Sequence, residues 1–110
     1  MATAQIAPEG GIVTLINVFT VAPEKQAPLI EVLNRATVEV MRGLPGFVSA
    51  SIHKSVDGTR VTNYAQWESQ AAFDAMLKNE AARAHMSQAA ALAVKFEPVL
   101  YTVASVHRRP

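Results

Sequence analysis

FVSASIHKSVDGTRVTNYAQWES, residues 47–69, is the stretch whose reading decides the fold. Phe47–Ser55 and Thr59–Glu68 are rich in β-branched and aromatic residues, and they flank Val56-Asp57-Gly58, a plausible hairpin turn. The pattern predicts two antiparallel strands. Upstream, Gly43 followed by Pro45 and Gly46 is a helix stop, and Glu24–Arg42 before it carries Leu29, Ile30, Leu33, Ala36, Val40 and Met41 at a spacing near 3.6. Pro28 is tolerated only in the first turn of that helix. Further upstream, Ile12–Val21 reads as a strand, with Val13, Leu15, Asn17 and Phe19 on one side and Ile12, Ile16 and Val18 on the other.

Downstream, Ser69 is a suitable N-cap for a helix whose buried stripe is Ala72, Phe73, Met76 and Leu77. The alanine-rich segment Glu80–Val94 continues it or forms a separate helix, and Phe96–Val106 alternates as a last strand. The order βαββαβ predicts an α+β fold of ferredoxin-like type, a four-stranded antiparallel sheet with its helices on one face. The other face is left bare. The first strand is apolar on both sides, and the 110 residues are 50% hydrophobic but only 17% charged. So small a domain cannot hide that surface alone, which predicts a homodimer in which two sheets pack face to face. One domain, 12–107, is expected between a flexible N-terminal tail, 1–11, and a C-terminal tail, 108–110.

A net charge of +1 offers no electrostatic case for nucleic acid, and the only basic cluster, His107-Arg108-Arg109, reads as a solvated tail. Without cysteine there is no disulfide or thiolate chemistry, which is compatible with a reducing cytoplasm. Neither a basic start with a long apolar run nor an 18-residue apolar window is present, so neither secretion by a signal peptide nor a membrane span is expected. There is no glycine-rich phosphate loop, HExxH, metal-spaced His and carboxylate cluster, or GxSxG. A nucleotide or metal enzyme is not expected.

Chemistry-bearing residues gather in the second half of the hairpin. Asn63, Ala65 and Trp67 share one side of their strand, with Asn63 and Trp67 about 13 Å apart. They can line two ends of one small cavity. Trp67, the only tryptophan, joins a large apolar surface to one N–H donor and suits a planar aromatic ligand; core packing is the plainer reading. Asn63 and Asn17 lie on otherwise apolar strand faces, where an amide must find a partner. That partner is either nearby backbone or a substrate oxygen on which negative charge develops. His53 on the second strand and His85 in the helical segment are candidate proton carriers, and His107 belongs to the tail. His53 shares the parity of Phe47, Ser49 and Ser51.

The blocks NYAQWES (63–69), VDGT (56–59) and LPGFVSASIH (44–53) resemble the antibiotic biosynthesis monooxygenase family. Among its members they are most similar to the small enzymes that oxidise aromatic polyketides in actinorhodin-type and anthracycline pathways, and the resemblance runs from about residue 12 to residue 106. It implies a dimeric α+β barrel that converts anthrones or phenols to quinones with O2, without metal, flavin or other cofactor. It implies Asn63 and Trp67 as catalytic residues, Asn17 as a third member, and His53, Phe73 and His85 as substrate-binding residues. Two positions depart from the actinorhodin-type pattern: Phe73 stands where a tyrosine is found, and Ser87 where an arginine is found, with Arg83 one helical turn away. A haem-degrading branch of the superfamily uses Asn, Trp and His; Asn17 and His85 resemble two of these, but Met76 occupies the tryptophan's place. Other relatives use reduced flavin from a partner. Outside enzymology, the same sequence suits a non-catalytic dimeric barrel that binds an aromatic ligand.

Overall fold

The computed structural model describes residues 4–7 and 10–110. It contains β1 (Val13–Thr20), α1 (Pro23–Glu39), a 3-10 turn (Met41–Gly43), β2 (Phe47–Lys54), β3 (Arg60–Trp67), α2 (Gln70–Leu77), α3 (Glu80–Leu92) and β4 (Lys95–Tyr101). The strands form one antiparallel sheet in the order β2-β3-β1-β4. This is the expected ferredoxin-like α+β arrangement.

Local chemistry sets the element ends. The Ser69 side chain accepts from the Ala72 N–H at 3.1 Å and starts α2. Asn79 accepts from the Ala82 N–H at 2.9 Å and starts α3, so the second helical region is split. Helix α1 begins at Pro23, which puts Pro28 inside the helix rather than in its first turn, and regular helix ends at Glu39 before the 3-10 turn. The last strand stops at Tyr101, short of the expected Val106, because its partner β1 runs out: Tyr101 pairs with Thr14, one residue from the start of β1. Gly46 has φ +84° and lies against Ala72 so closely that any Cβ would collide; this bend delivers Phe47 to the sheet.

Two faces result. The inner face packs on the helices through two buried clusters, one around Leu15, Ala65, Trp67, Phe73, Met76 and Ala82, the other around Phe19, Leu29, Leu33, Val61 and Ala89. The outer face has no helix, and its β4 residues Val99 and Tyr101 are 46% and 47% exposed. Gln66, fully buried on that outer face, holds the N-terminal segment. Its Oε1 accepts from the Gln5 N–H at 2.8 Å, and its Nε2 donates to the Gln5 carbonyl and to Thr14 Oγ1 at 3.2 Å. Residues 1–3, 8 and 9 of the expected flexible tail lie outside the described residues. Among the described residues, no helix is long and apolar enough to cross a membrane.

Candidate active site

A cavity of about 410 Å³ lies between the inner sheet face and the helices. Sheet register builds its floor. Asn17 stands directly opposite Asn63, and Leu15 opposite Ala65. Because side chains alternate along a strand, Asn63, Ala65 and Trp67 emerge together on this side, as their spacing predicts. Phe96 and Pro98 of β4, opposite Phe19 and Asn17, extend the floor.

Small residues make the room. Ala36 of α1, Ala50 of β2, Ala65 of β3 and Ala89 and Ala90 of α3 all line the cavity. Aromatic rings frame one end. Trp67 is 1% exposed and makes edge contacts with Phe47 (5.4 Å between centroids, 86° between planes) and Phe73 (6.5 Å, 72°). Such T-shaped contacts fix the indole plane. Trp67 belongs to the buried core and also lines the cavity.

Among the described residues, four buried side-chain atoms lack any hydrogen-bond partner in the protein: Asn17 Oδ1, Asn63 Oδ1, Trp67 Nε1 and His85 Nδ1. All four belong to residues that line this one cavity. Leaving a buried polar group unpaired costs about 1–3 kcal/mol, so their concentration here marks this cavity as the place where water or a ligand supplies the missing partners. An asparagine side chain offers an oxygen acceptor or, after a half-turn, an amino donor, so the facing pair suits either a hydroxyl or an anionic oxygen.

Charge is sparse around the site. Arg83 and His85 are the titratable residues that line the cavity, and Arg83 forms no ion pair among the described residues. His85 Nε2 lies 3.6 Å from Glu39 Oε2. No group of three or more His, Cys, Asp or Glu side chains that could hold a metal occurs among the described residues. The cavity can therefore enclose a flat apolar molecule and hold its oxygens at a few chosen points.

Of the six residues singled out from sequence, the structure gathers Asn17, Asn63, Trp67, Phe73 and His85 around the cavity. His53 is the exception, and its expected place is corrected. It is exposed, pairs with Thr62, and stacks its ring edgewise near Tyr64 (6.4 Å between centroids) on the outer face. The cause is a β-bulge between Phe47 and Ser49. The extra residue shifts the alternation by one, so Phe47 lines the cavity while Ser49, Ser51 and His53 face outward. Sequence reasoning missed the helical roof, Leu33, Ala36 and Thr37, because an apolar stripe of period 3.6 signals core as readily as a cavity wall. Both departures, Phe73 on α2 and Ser87 on α3, line the cavity, and so does Arg83, one helical turn from Ser87.

Fold and site together define a class. The profile of the antibiotic biosynthesis monooxygenase family matches residues 12–88, and the chain belongs to that family. More particularly, it is 53% identical over 73 residues to the tetracenomycin-F1 monooxygenase of Streptomyces glaucescens, a match that spans 66% of this chain and 65% of that protein. Among solved structures, it is similar to the ActVA-Orf6 monooxygenase of Streptomyces coelicolor in complex with nanaomycin D (30% identity, TM-score 0.76, 94% of this chain and 96% of that one). It is also similar to SnoaB, a cofactor-independent oxygenase from Streptomyces nogalater (27% identity, TM-score 0.76, 87% and 96%).

Proposed function

We propose that this protein is a cofactor-independent monooxygenase that oxidises an aromatic polyketide, anthrone or phenol to a quinone with O2. The observation that carries this reading is the convergence of four unpartnered polar atoms on one largely apolar cavity. The relatives' names, a tetracenomycin-F1 monooxygenase and a cofactor-independent oxygenase, agree with it.

The chemistry asks little of the protein. A phenol or anthrone that loses a proton becomes an electron-rich anion able to reduce O2 itself. At an activated methylene the balance is CH2 + O2 → C=O + H2O: the substrate loses four electrons, and the oxygen atoms divide between product and water. The largely apolar wall holds the ring system in place. Asn63 and Asn17 hydrogen-bond the oxygen that gains negative charge, and Trp67 sets the ring plane and donates its N–H to the oxygenated intermediate. Phe73 and His85 complete the contacts with substrate.

The active form in this reading is a cytoplasmic homodimer joined through the outer sheet faces. Exposed Val99 and Tyr101 and half-buried Ile16 and Val18 supply its apolar surface. Light scattering at micromolar concentration should give twice the monomer mass, and a stable monomer would remove this part of the reading.

The direct test is to incubate metal-stripped, flavin-free protein with the anthrone dithranol in air, following quinone absorbance and oxygen uptake. One O2 consumed per quinone, at a rate well above the uncatalysed background, is expected. A background rate sinks the reading. A rate that appears only when reduced flavin or haem is added replaces it with a cofactor-dependent one.

A further inference from the structure

We propose that His85 is the proton acceptor of the site and that Glu39, on a different helix, positions it for that role; this rests on the monooxygenase reading above. The imidazole spans two environments. Nε2 lies 3.6 Å from Glu39 Oε2, while Nδ1 is buried without a partner on a residue that lines the cavity. A carboxylate can only accept a hydrogen bond, so the nitrogen beside it carries the hydrogen and the other keeps its lone pair. The tautomer with hydrogen on Nε2 therefore leaves Nδ1 as a base on the cavity side. The 3.6 Å gap is an ion-pair separation, longer than a hydrogen bond, and contacts of this kind commonly tighten only when substrate binds.

The contact joins elements far apart in the chain. Glu39 is the last residue of α1, and His85 lies in the second turn of α3. Glu39 has a side chain 56% exposed, whereas that of His85 is 15% exposed, so solvent can reach the carboxylate but scarcely the imidazole. Arg83 is the other titratable residue of the cavity lining. It matches no proton acceptor, because a guanidinium stays protonated. In the proton-transfer step the substrate O–H or C–H bond breaks, its electron pair stays on the substrate, and a new N–H bond forms at Nδ1. The resulting imidazolium lies next to the Glu39 carboxylate.

The experiment combines turnover with a spectroscopic signature. The 15N side-chain spectrum of His85 in the substrate-free protein should show the Nε2–H tautomer. Glu39→Ala should shift it to a mixture, and Glu39→Gln, which keeps an acceptor but not the charge, should restore it. On dithranol, His85→Gln should lower kcat about 100-fold, a size ordinary for loss of a general base. Glu39→Ala should lower kcat about tenfold with KM unchanged, and Glu39→Gln should recover only part of that loss. Each variant must keep the wild-type melting profile; one that does not is judged on the tautomer measurement and on Glu39→Gln. A wild-type Nδ1–H tautomer, or an unaltered tautomer and kcat in Glu39→Ala, overturns the proposal. Inactive wild-type protein would instead overturn the monooxygenase reading, and the tautomer measurement would then decide the Glu39–His85 pair by itself.

Discussion

Asn63 and Gln66 are both amides on β3, three residues apart, and they are treated in opposite ways. Gln66, on the outer face, is completely buried and its side chain is fully engaged: Oε1 accepts from Gln5 and from Ser49 Oγ at 3.4 Å, and Nε2 donates to Gln5 and Thr14. Asn63, on the inner face, has a buried Oδ1 with no partner, and the asparagine opposite it shares that condition. One face of the strand is finished as structure, while the other is left chemically open. The difference shows how two amides on one strand can be sorted, since one whose polar atoms are all engaged stabilises the fold and one with a buried atom left open can take up water or a ligand.

Substituting the two amides by leucine should give opposite results. Asn63→Leu is expected to lower kcat about 100-fold, the scale for losing one donor to a developing oxyanion. It should leave the protein as stable as before or up to about 1 kcal/mol more stable, since an unpaired polar atom is removed. Gln66→Leu is expected to keep kcat within about twofold while costing about 1–3 kcal/mol, because Gln5 and Thr14 lose their partner. Urea melts and dithranol turnover on both variants check the pair, and similar stability losses in the two would erase the distinction.

Trp67→Phe sharpens it further. An aromatic filler keeps the contacts with Phe47 and Phe73 but deletes the one buried N–H, so kcat should fall about tenfold with about 1 kcal/mol of stability lost. Unchanged turnover would return Trp67 to the core alone. The smallest effect lies far from both amides, in the hairpin turn. Hydrogen bonds from the Thr59 and Ser55 hydroxyls and the Thr59 N–H lower the pKa of Asp57 to about 2, from 3.8. A lowered carboxylate pKa adds stability above the unfolded value, and that stability is lost as pH falls through the folded one. Wild type and Asp57→Asn should therefore differ slightly in melting temperature above pH 4 and converge toward pH 2. A constant offset across that range would mean that the carboxylate charge is not responsible.

Much of this organisation was legible beforehand, for identifiable reasons. Element order, the Ser69 cap and the shared side of Asn63, Ala65 and Trp67 depend on local propensity and period-2 alternation, which a sequence displays directly. The resemblance carried by NYAQWES extended that to the family, which the match over residues 12–88 bears out. His53 failed because the bulge beside Val48 reversed the parity counted from Phe47, and nothing in FVSASIH marks where the extra residue goes. The contact of Glu39 with His85 was invisible for another reason: it depends on how α1 and α3 pack, and neither residue's neighbours announce it.

The alanines around the cavity carry a consequence for how such a protein diversifies. Ala36, Ala50, Ala65, Ala89 and Ala90 come from four different elements, and each gives way to a methyl-by-methyl enlargement that takes space from the ligand. None of them is among the unpartnered polar residues. If the proposed function holds, molecular dimensions and reactivity are written in separate sets of positions. A lineage of such enzymes can then retune which ring skeleton is admitted through single small-to-large exchanges on the wall, while the polar groups proposed to handle the proton and the oxygen pass through the change intact.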